Sequence, residues 1–211
     1  MKIIEQSATW EQEPPANTLE IIERAGRTCY KSEGKSCEGS APDFVRRILG
    51  RQHESVIEHV SASVRFVTDR GVTHEMVRHR IASYSQESTR YCNYSKDQFG
   101  EEITVILPVW FYDRKRQEEY KTWEAAMMDA ECGYLKLLAM GTTAQEARAV
   151  LPNSLKTEIV MTANLREWLH FFKLRTAPAA HPQMRDLALQ ALCLFQMAVP
   201  VLFGSIGKKE A

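Results

Sequence analysis

The sequence predicts an α+β fold: a single domain with a small, mostly antiparallel sheet packed by helices. Two observations carry this. Several segments place apolar residues at three- and four-residue spacing, and a few shorter ones alternate with period two. The two kinds do not alternate regularly enough for a doubly wound sheet, and neither G-x-G-x-x-G nor G-x-x-x-x-G-K-[ST] occurs.

The elements follow in order. Residues 18–30 put Leu19, Ile22 and Ala25 at helical spacing, with Thr18 as a cap candidate. A short helix after Pro42 carries Phe44, Val45, Ile48 and Leu49 and stops at Gly50. Residues 55–68 change period: Val56, Val60, Ala62, Val64 and Phe66 fall on one face of a strand. A turn at Asp69-Arg70-Gly71 leads into a helix over 72–82, and 84–92 is expected to be extended. Residues 103–108 form a strand closed by Pro108, and 114–140 a long helix. A short helix spans 143–150 and a strand 154–163. Asn164 then caps a helix over 165–175, with Glu167 at the third position. The last long helix covers 184–199.

With 211 residues the chain can bury a core without a disulfide or metal staple. Lys+Arg and Asp+Glu both total 27, so no global field favours nucleic acid or membrane, and an anion site must be local. The cysteines number five, without a C-x-x-C pair, which suits reduced thiols in a cytoplasm. The first residues lack the apolar run of a signal peptide, and LCLFQMAVPVLF (192–203) is too short to span a bilayer. A cytoplasmic protein is expected.

Basic residues concentrate in RHRIASYSQESTRY (78–91). On a helix, His74 and Arg78 share a face, as do Glu75 and His79. If 84–92 is extended, Gln86, Ser88 and Arg90 point the same way and offer an amide, a hydroxyl and a guanidinium. Two readings stand for this stretch: a solvated helix end followed by a polar edge strand, or an anion site. No histidine pair has zinc spacing, and no metal is expected. Ser88 lacks the G-x-S-x-G setting of a nucleophile, and Cys29 reads as an inert thiol. In 164–175, Trp168 and Phe171 are expected in the core. Arg175 shares their side and needs a polar or anionic partner at that boundary. Arg148 stands alone at an element end.

Arg78-His79-Arg80, seven residues and then Ser88 resembles the R-H-R-x7-S signature of the flavin-dependent thymidylate synthases. Ser83 and the Ser88-x-Arg90-Tyr91 ending resemble it too, as do RTCYKS (27–32), HESVIEH (53–59), ARAVLP (147–152) and Asn164-x-Arg166-x3-His170-x3-Leu174-Arg175. The resemblance spans nearly the whole chain and implies one such domain over 1–211. It implies a homotetramer with shared active sites, converting dUMP to dTMP without a covalent enzyme nucleophile. Methylenetetrahydrofolate would supply the carbon, and FAD, reduced by NADPH, the hydride.

The resemblance further implies flavin contacts for Ser55, Arg78, His79, Arg80, Gln86, Asn164, Arg166 and His170. It implies nucleotide contacts for Glu75, Arg78, Gln86, Ser88, Arg90, Arg148 and Arg175, with Arg175 the catalytic residue that favours ionisation at N3 of the pyrimidine. This chain has Ser85-Gln86 where some members carry Asn-Glu, and Glu75 where some carry Gln. His181, in TAPAAHPQ, receives no role. The rival classes are a nucleic-acid-binding module, against which balanced charge argues, and a flavin- or nucleotide-binding protein that has lost catalysis.

Overall fold

The computed structural model describes residues 1–96 and 100–207. At its centre lies a four-stranded antiparallel sheet in the order β2-β3-β6-β4, with β2 Ser7–Gln12, β3 Ser61–Asp69, β4 Ala82–Gln86 and β6 Lys156–Asn164. β3 and β6 pair without interruption from Ser61↔Asn164 to Asp69↔Lys156. Ala62, Val64, Phe66 and Thr68 turn inward from β3, and Thr157, Ile159, Met161 and Ala163 from β6; Ser63, on the other face of β3, is also buried. Period-two burial of this kind fixes the register, because a one-residue slip would expose the whole apolar set.

The helices α1 Thr18–Tyr30, α2 Ala41–Gly50, α6 Leu165–Arg175, α7 Pro182–Ala198 and α8 Pro200–Phe203 contribute to the main core with the inner sheet face. Its centre is aromatic. Trp168, Phe171, Phe172, Phe195 and Phe203 are fully buried together with Phe66. The indole N–H of Trp168 donates to the Ala62 carbonyl at 3.1 Å, so the ring enters the core without an orphaned donor.

A second, smaller core forms around α4 Gln117–Ala139, where Met127 and Tyr134 meet Ile103, Val105, Leu155 and the short helix α5 Ala144–Ala147. Beside it β1 Lys2–Ile4 pairs in parallel with β5 Thr104–Ile106. An isolated bridge from Val105 to Leu155 ties this unit toward the main sheet.

The elements depart from the sequence expectations at several places. Residues Glu54–His59 form a 3-10 helix rather than the start of a strand, with Val56 and Ile57 buried from successive positions. Asp69 starts a helix instead of ending in a turn: its Oδ1 accepts from the Val72 N–H at 2.7 Å and caps α3 Arg70–Met76. That helix ends six residues earlier than expected. Strands β1 and β2, too short and too polar to stand out by period, appear only in the fold.

Candidate active site

Two helix ends build the centre of the site. The Asn164 side chain accepts from the Glu167 N–H at 2.9 Å and caps α6. This fixes a helix whose successive turns carry Arg166, Glu167, His170 and Arg175. The reciprocal half of the expected capping pair is replaced. The Glu167 carboxylate turns to His79 instead, with Oε1 3.1 Å from Nδ1.

Across from α6, α3 ends at Met76 and the chain turns before β4. The Tyr84 hydroxyl lies 2.8 Å from the carbonyls of both Met76 and His79, sharing its single proton between them, and pins this turn. Burial, with Glu167 adding to it, raises the Tyr84 hydroxyl well above its usual range. In the turn Arg78 and Arg80 are exposed while His79 is buried. Neither of these two guanidinium groups has an ion pair or side-chain hydrogen bond among the described residues.

Arg175 joins the two halves. Its Nη1 donates to Glu75 Oε2 at 2.9 Å, its Nη2 to the Glu75 carbonyl at 2.9 Å, and its Nε to His79 Nε2 at 3.0 Å. The partner expected for a boundary guanidinium is therefore double: a carboxylate and an imidazole. Glu75 and His79 do meet, but through Arg175 and not along a helix face, since α3 has already ended. A guanidinium carries five N–H donors, and two of these five remain free of protein acceptors among the described residues. Burial lowers the His79 pKa, Arg175 and His170 lower it further, and Glu167 opposes them.

His79, Glu167 and His170 bring possible metal-ligand atoms within 4.8 Å of one another. The His79 and Glu167 atoms already serve as hydrogen-bond partners, and a cation there would face the fixed charge of Arg175.

Next to this hub, a cleft of about 520 Å³ opens between α6 and the 3-10 turn that carries Ser55. Asn164, Arg166, His170 and Lys173 line one wall, with Ile81 and Leu169 as apolar surface. Glu54 and Glu58, from the opposite wall, pair with Arg166.

The second group of expected residues lies past β4. The chain leaves the strand after Gln86 and closes a turn in which the Tyr91 and Cys92 N–H groups donate to the Ser88 carbonyl. The shared strand face expected for Gln86, Ser88 and Arg90 is thus absent, because the extended run stops at Gln86. The Gln86 amide reaches Thr73 and Thr157 at 3.1 and 3.3 Å. Ser88 and Arg90 are instead neighbours in the turn, where the Arg90 N–H donates to Ser88 Oγ at 3.3 Å. Arg148 approaches the same turn, with Nη1 3.4 Å from Thr89 Oγ1. The Arg90 guanidinium stacks over Tyr91, 5.5 Å from the ring centroid.

Sequence reasoning missed a second charged cluster. A cleft of about 760 Å³ includes Arg65, Ser85, Gln86, Glu87, Lys156 and Glu158 in its lining. Lys156 donates to Glu87 at 3.0 Å and Glu158 at 2.7 Å. Burial alone would lower the Lys156 pKa, but the bonds to these two acids outweigh it and raise the value. The alternation of β6 placed Lys156 and Glu158 on one outward face, a signal available in the sequence; the partner Glu87 was not.

The family model described as thymidylate synthase complementing protein matches residues 13–201. A flavin-dependent thymidylate synthase of Geobacter sulfurreducens is 35% identical over 190 residues, covering 87% of this chain and 79% of the relative. One from Corynebacterium aurimucosum is 35% identical over 216 residues, covering 94% and 84%. Among solved structures, thymidylate synthase X of Helicobacter pylori with FAD and dUMP superposes with a TM-score of 0.77 at 24% identity, covering 96% of this chain and 99% of that one. The UMP/dUMP methylase PolB of Streptomyces cacaoi, bound with 5-Br dUMP, gives 0.81 at 22% identity, covering 97% and 96%. The chain belongs to the flavin-dependent thymidylate synthase family.

Proposed function

We propose that this chain methylates dUMP to dTMP, taking the carbon from methylenetetrahydrofolate, with FAD as cofactor and NADPH as reductant. The observation that carries the reading is the Arg175 guanidinium, held by Glu75 and His79 with two donors to spare, in a chain of this family.

The α6 cleft fits a flavin nucleotide by its donor set. His170 and Lys173 offer donors or charge to a diphosphate, as does Arg166 once released from Glu54 and Glu58, while Asn164 offers an amide and Ile81 and Leu169 apolar area. Ser55, Arg78, His79, Arg80 and Gln86 complete the flavin contacts in this reading. Bound FAD supplies the hydride chemistry.

The residues of the chain bind and polarise the pyrimidine. The free donors of Arg175 face N3 and stabilise the anion that develops there, which raises electron density at C5. Arginine suits the task because it stays protonated and presents a planar fork. Glu75, neutralised by Arg175, can lie near an anionic nucleotide without repelling it. Gln86, Arg78, Ser88, Arg90 and Arg148 bind the rest of the nucleotide. Ser88 accepts from a backbone N–H and has no side-chain base partner among the described residues, which supports a binding role over a nucleophilic one.

Residues 1–211 form one such domain in this proposal, assembled as a homotetramer with sites shared between subunits. The exposed Arg78 and Arg80, which have no ion pair or side-chain hydrogen bond among the described residues, support sharing. Five free cysteines support a reducing cytoplasm, and among the described residues no helix is long and apolar enough to cross a membrane. No nucleic-acid partner enters the proposal.

Tritium release from 5-tritiated dUMP, with NADPH and the folate present, tests the reaction. A protein that neither takes up FAD nor binds dUMP refutes it.

A further inference from the structure

We infer that Glu167 is a positioning residue for this reaction, acting through His79 to orient Arg175. The inference follows from donor bookkeeping along one line of side chains. The Arg175 Nε–H can only donate, so His79 Nε2, 3.0 Å away, must accept. A neutral imidazole that accepts at Nε2 carries its proton on Nδ1. The group that receives this proton is the Glu167 carboxylate, 3.1 Å from Nδ1. Glu167 therefore selects the tautomer that makes Nε2 a lone pair, and that lone pair anchors one edge of the guanidinium. In the other tautomer an N–H would face an N–H, and Arg175 would lose the bond and meet a like dipole.

The inner two members of the relay are buried. His79 and Glu167 are 4% and 7% exposed, while Arg175 borders the open site. His79 faces Glu167, His170 and Arg175 on α6, with Phe171 packed edge-on at 5.0 Å; Tyr84 on β4 bonds its carbonyl, and Glu75 on α3 lies across Arg175. The Asn164 cap fixes the Glu167 backbone, from which the carboxylate reaches His79.

Nitrogen NMR of histidine-labelled protein at about pH 8, where histidine is ordinarily neutral, tests the first link without any ligand. The wild-type His79 signals should show a protonated Nδ1 and a bare Nε2. In Glu167→Gln the amide can both accept and donate, so signals of the Nε2–H tautomer should appear. Turnover of dUMP should fall about tenfold with FAD retained, the size expected when a catalytic group loses one anchoring bond. Because Glu167 favours the imidazolium, its neutralisation should also move the acid limb of the kcat profile to lower pH. A purely structural role would not move that limb.

A wild-type imidazole protonated on Nε2 overturns the relay, whether or not the variant folds. An unchanged kcat in Glu167→Gln overturns it equally. The turnover arm rests on the proposed function and the tautomer arm does not. Wild-type protein inactive on dUMP refutes the proposed function, and the tautomer then decides the relay alone.

Discussion

Arg175 and His79 stand 96 residues apart in sequence and 3.0 Å apart at Nε and Nε2, with the guanidinium as donor and the imidazole as acceptor. The contact couples a firmly held cation of the site to an imidazole whose pKa burial lowers. Two predictions follow from this pair, and two from other contacts.

Arg175→Ala removes the cation assigned to N3 of the pyrimidine. Turnover of dUMP is expected to drop by about a hundredfold or more, the usual cost of losing one preorganised charge donor. The flavin absorption of the purified variant should persist, since the α6 cleft lines its wall with other side chains. Full activity in steady-state assays would refute the assigned role.

Acid should destabilise the protein through His79. Its folded pKa lies below the ordinary 6.5, chiefly through burial. Between that lowered value and 6.5 the unfolded chain binds more protons than the folded one, so stability rises with pH across the window. Stability present above 6.5 is lost as the pH falls toward the lowered value, where the imidazolium also opposes the Arg175 donor. Thermal melts from about pH 8 to about pH 5 should show a falling midpoint, and His79→Gln should flatten that slope. An unchanged slope in the variant would assign the effect elsewhere.

Arg90→Ala should weaken dUMP binding about tenfold, a loss of about 1.4 kcal/mol. The guanidinium lies exposed over Tyr91 and has no carboxylate partner among the described residues, so its removal leaves no buried group unsatisfied. Isothermal titration reads the affinity, and the melting temperature should hold. A shift in melting with unchanged dUMP affinity would contradict the binding role.

Gly26→Ala tests packing away from the site. A Cβ at this position would meet the Phe44 ring at 2.7 Å, where α1 crosses α2. The guanidinium of Arg27, on the same helix as Gly26, lies over the ring 4.9 Å from its centroid. Overpacking of this kind costs about 1–3 kcal/mol. Each kcal/mol lowers the melting temperature of a chain this size by about 2–4 °C. An unaltered melting curve would mean that Phe44 has room to move.

Some of this site is written in local sequence. The alternation over 61–68 and 156–163 fixes two long strands because a one-residue slip would reverse every face. The Asn164 cap and the aromatic side of α6 follow from residues three and four apart, as does the need of Arg175 for a polar partner. The extended reading of 84–92 failed at Ser88, where backbone bonds back to its carbonyl close a turn that side-chain propensity does not announce.

What the sequence alone determined, then, was the family and which elements bear its motifs, through period, capping and the order of those motifs. Tertiary structure decided who faces whom. Glu167 reads locally as a cap partner, yet its carboxylate serves His79 across 88 residues. Lys156 finds Glu87 across 69 residues, and β1 pairs with β5 across about a hundred. Periodicity reports only the neighbours within a turn or a pleat. A hydrogen bond between distant segments depends on where the packed sheet and helices bring them, and no local signal contains that.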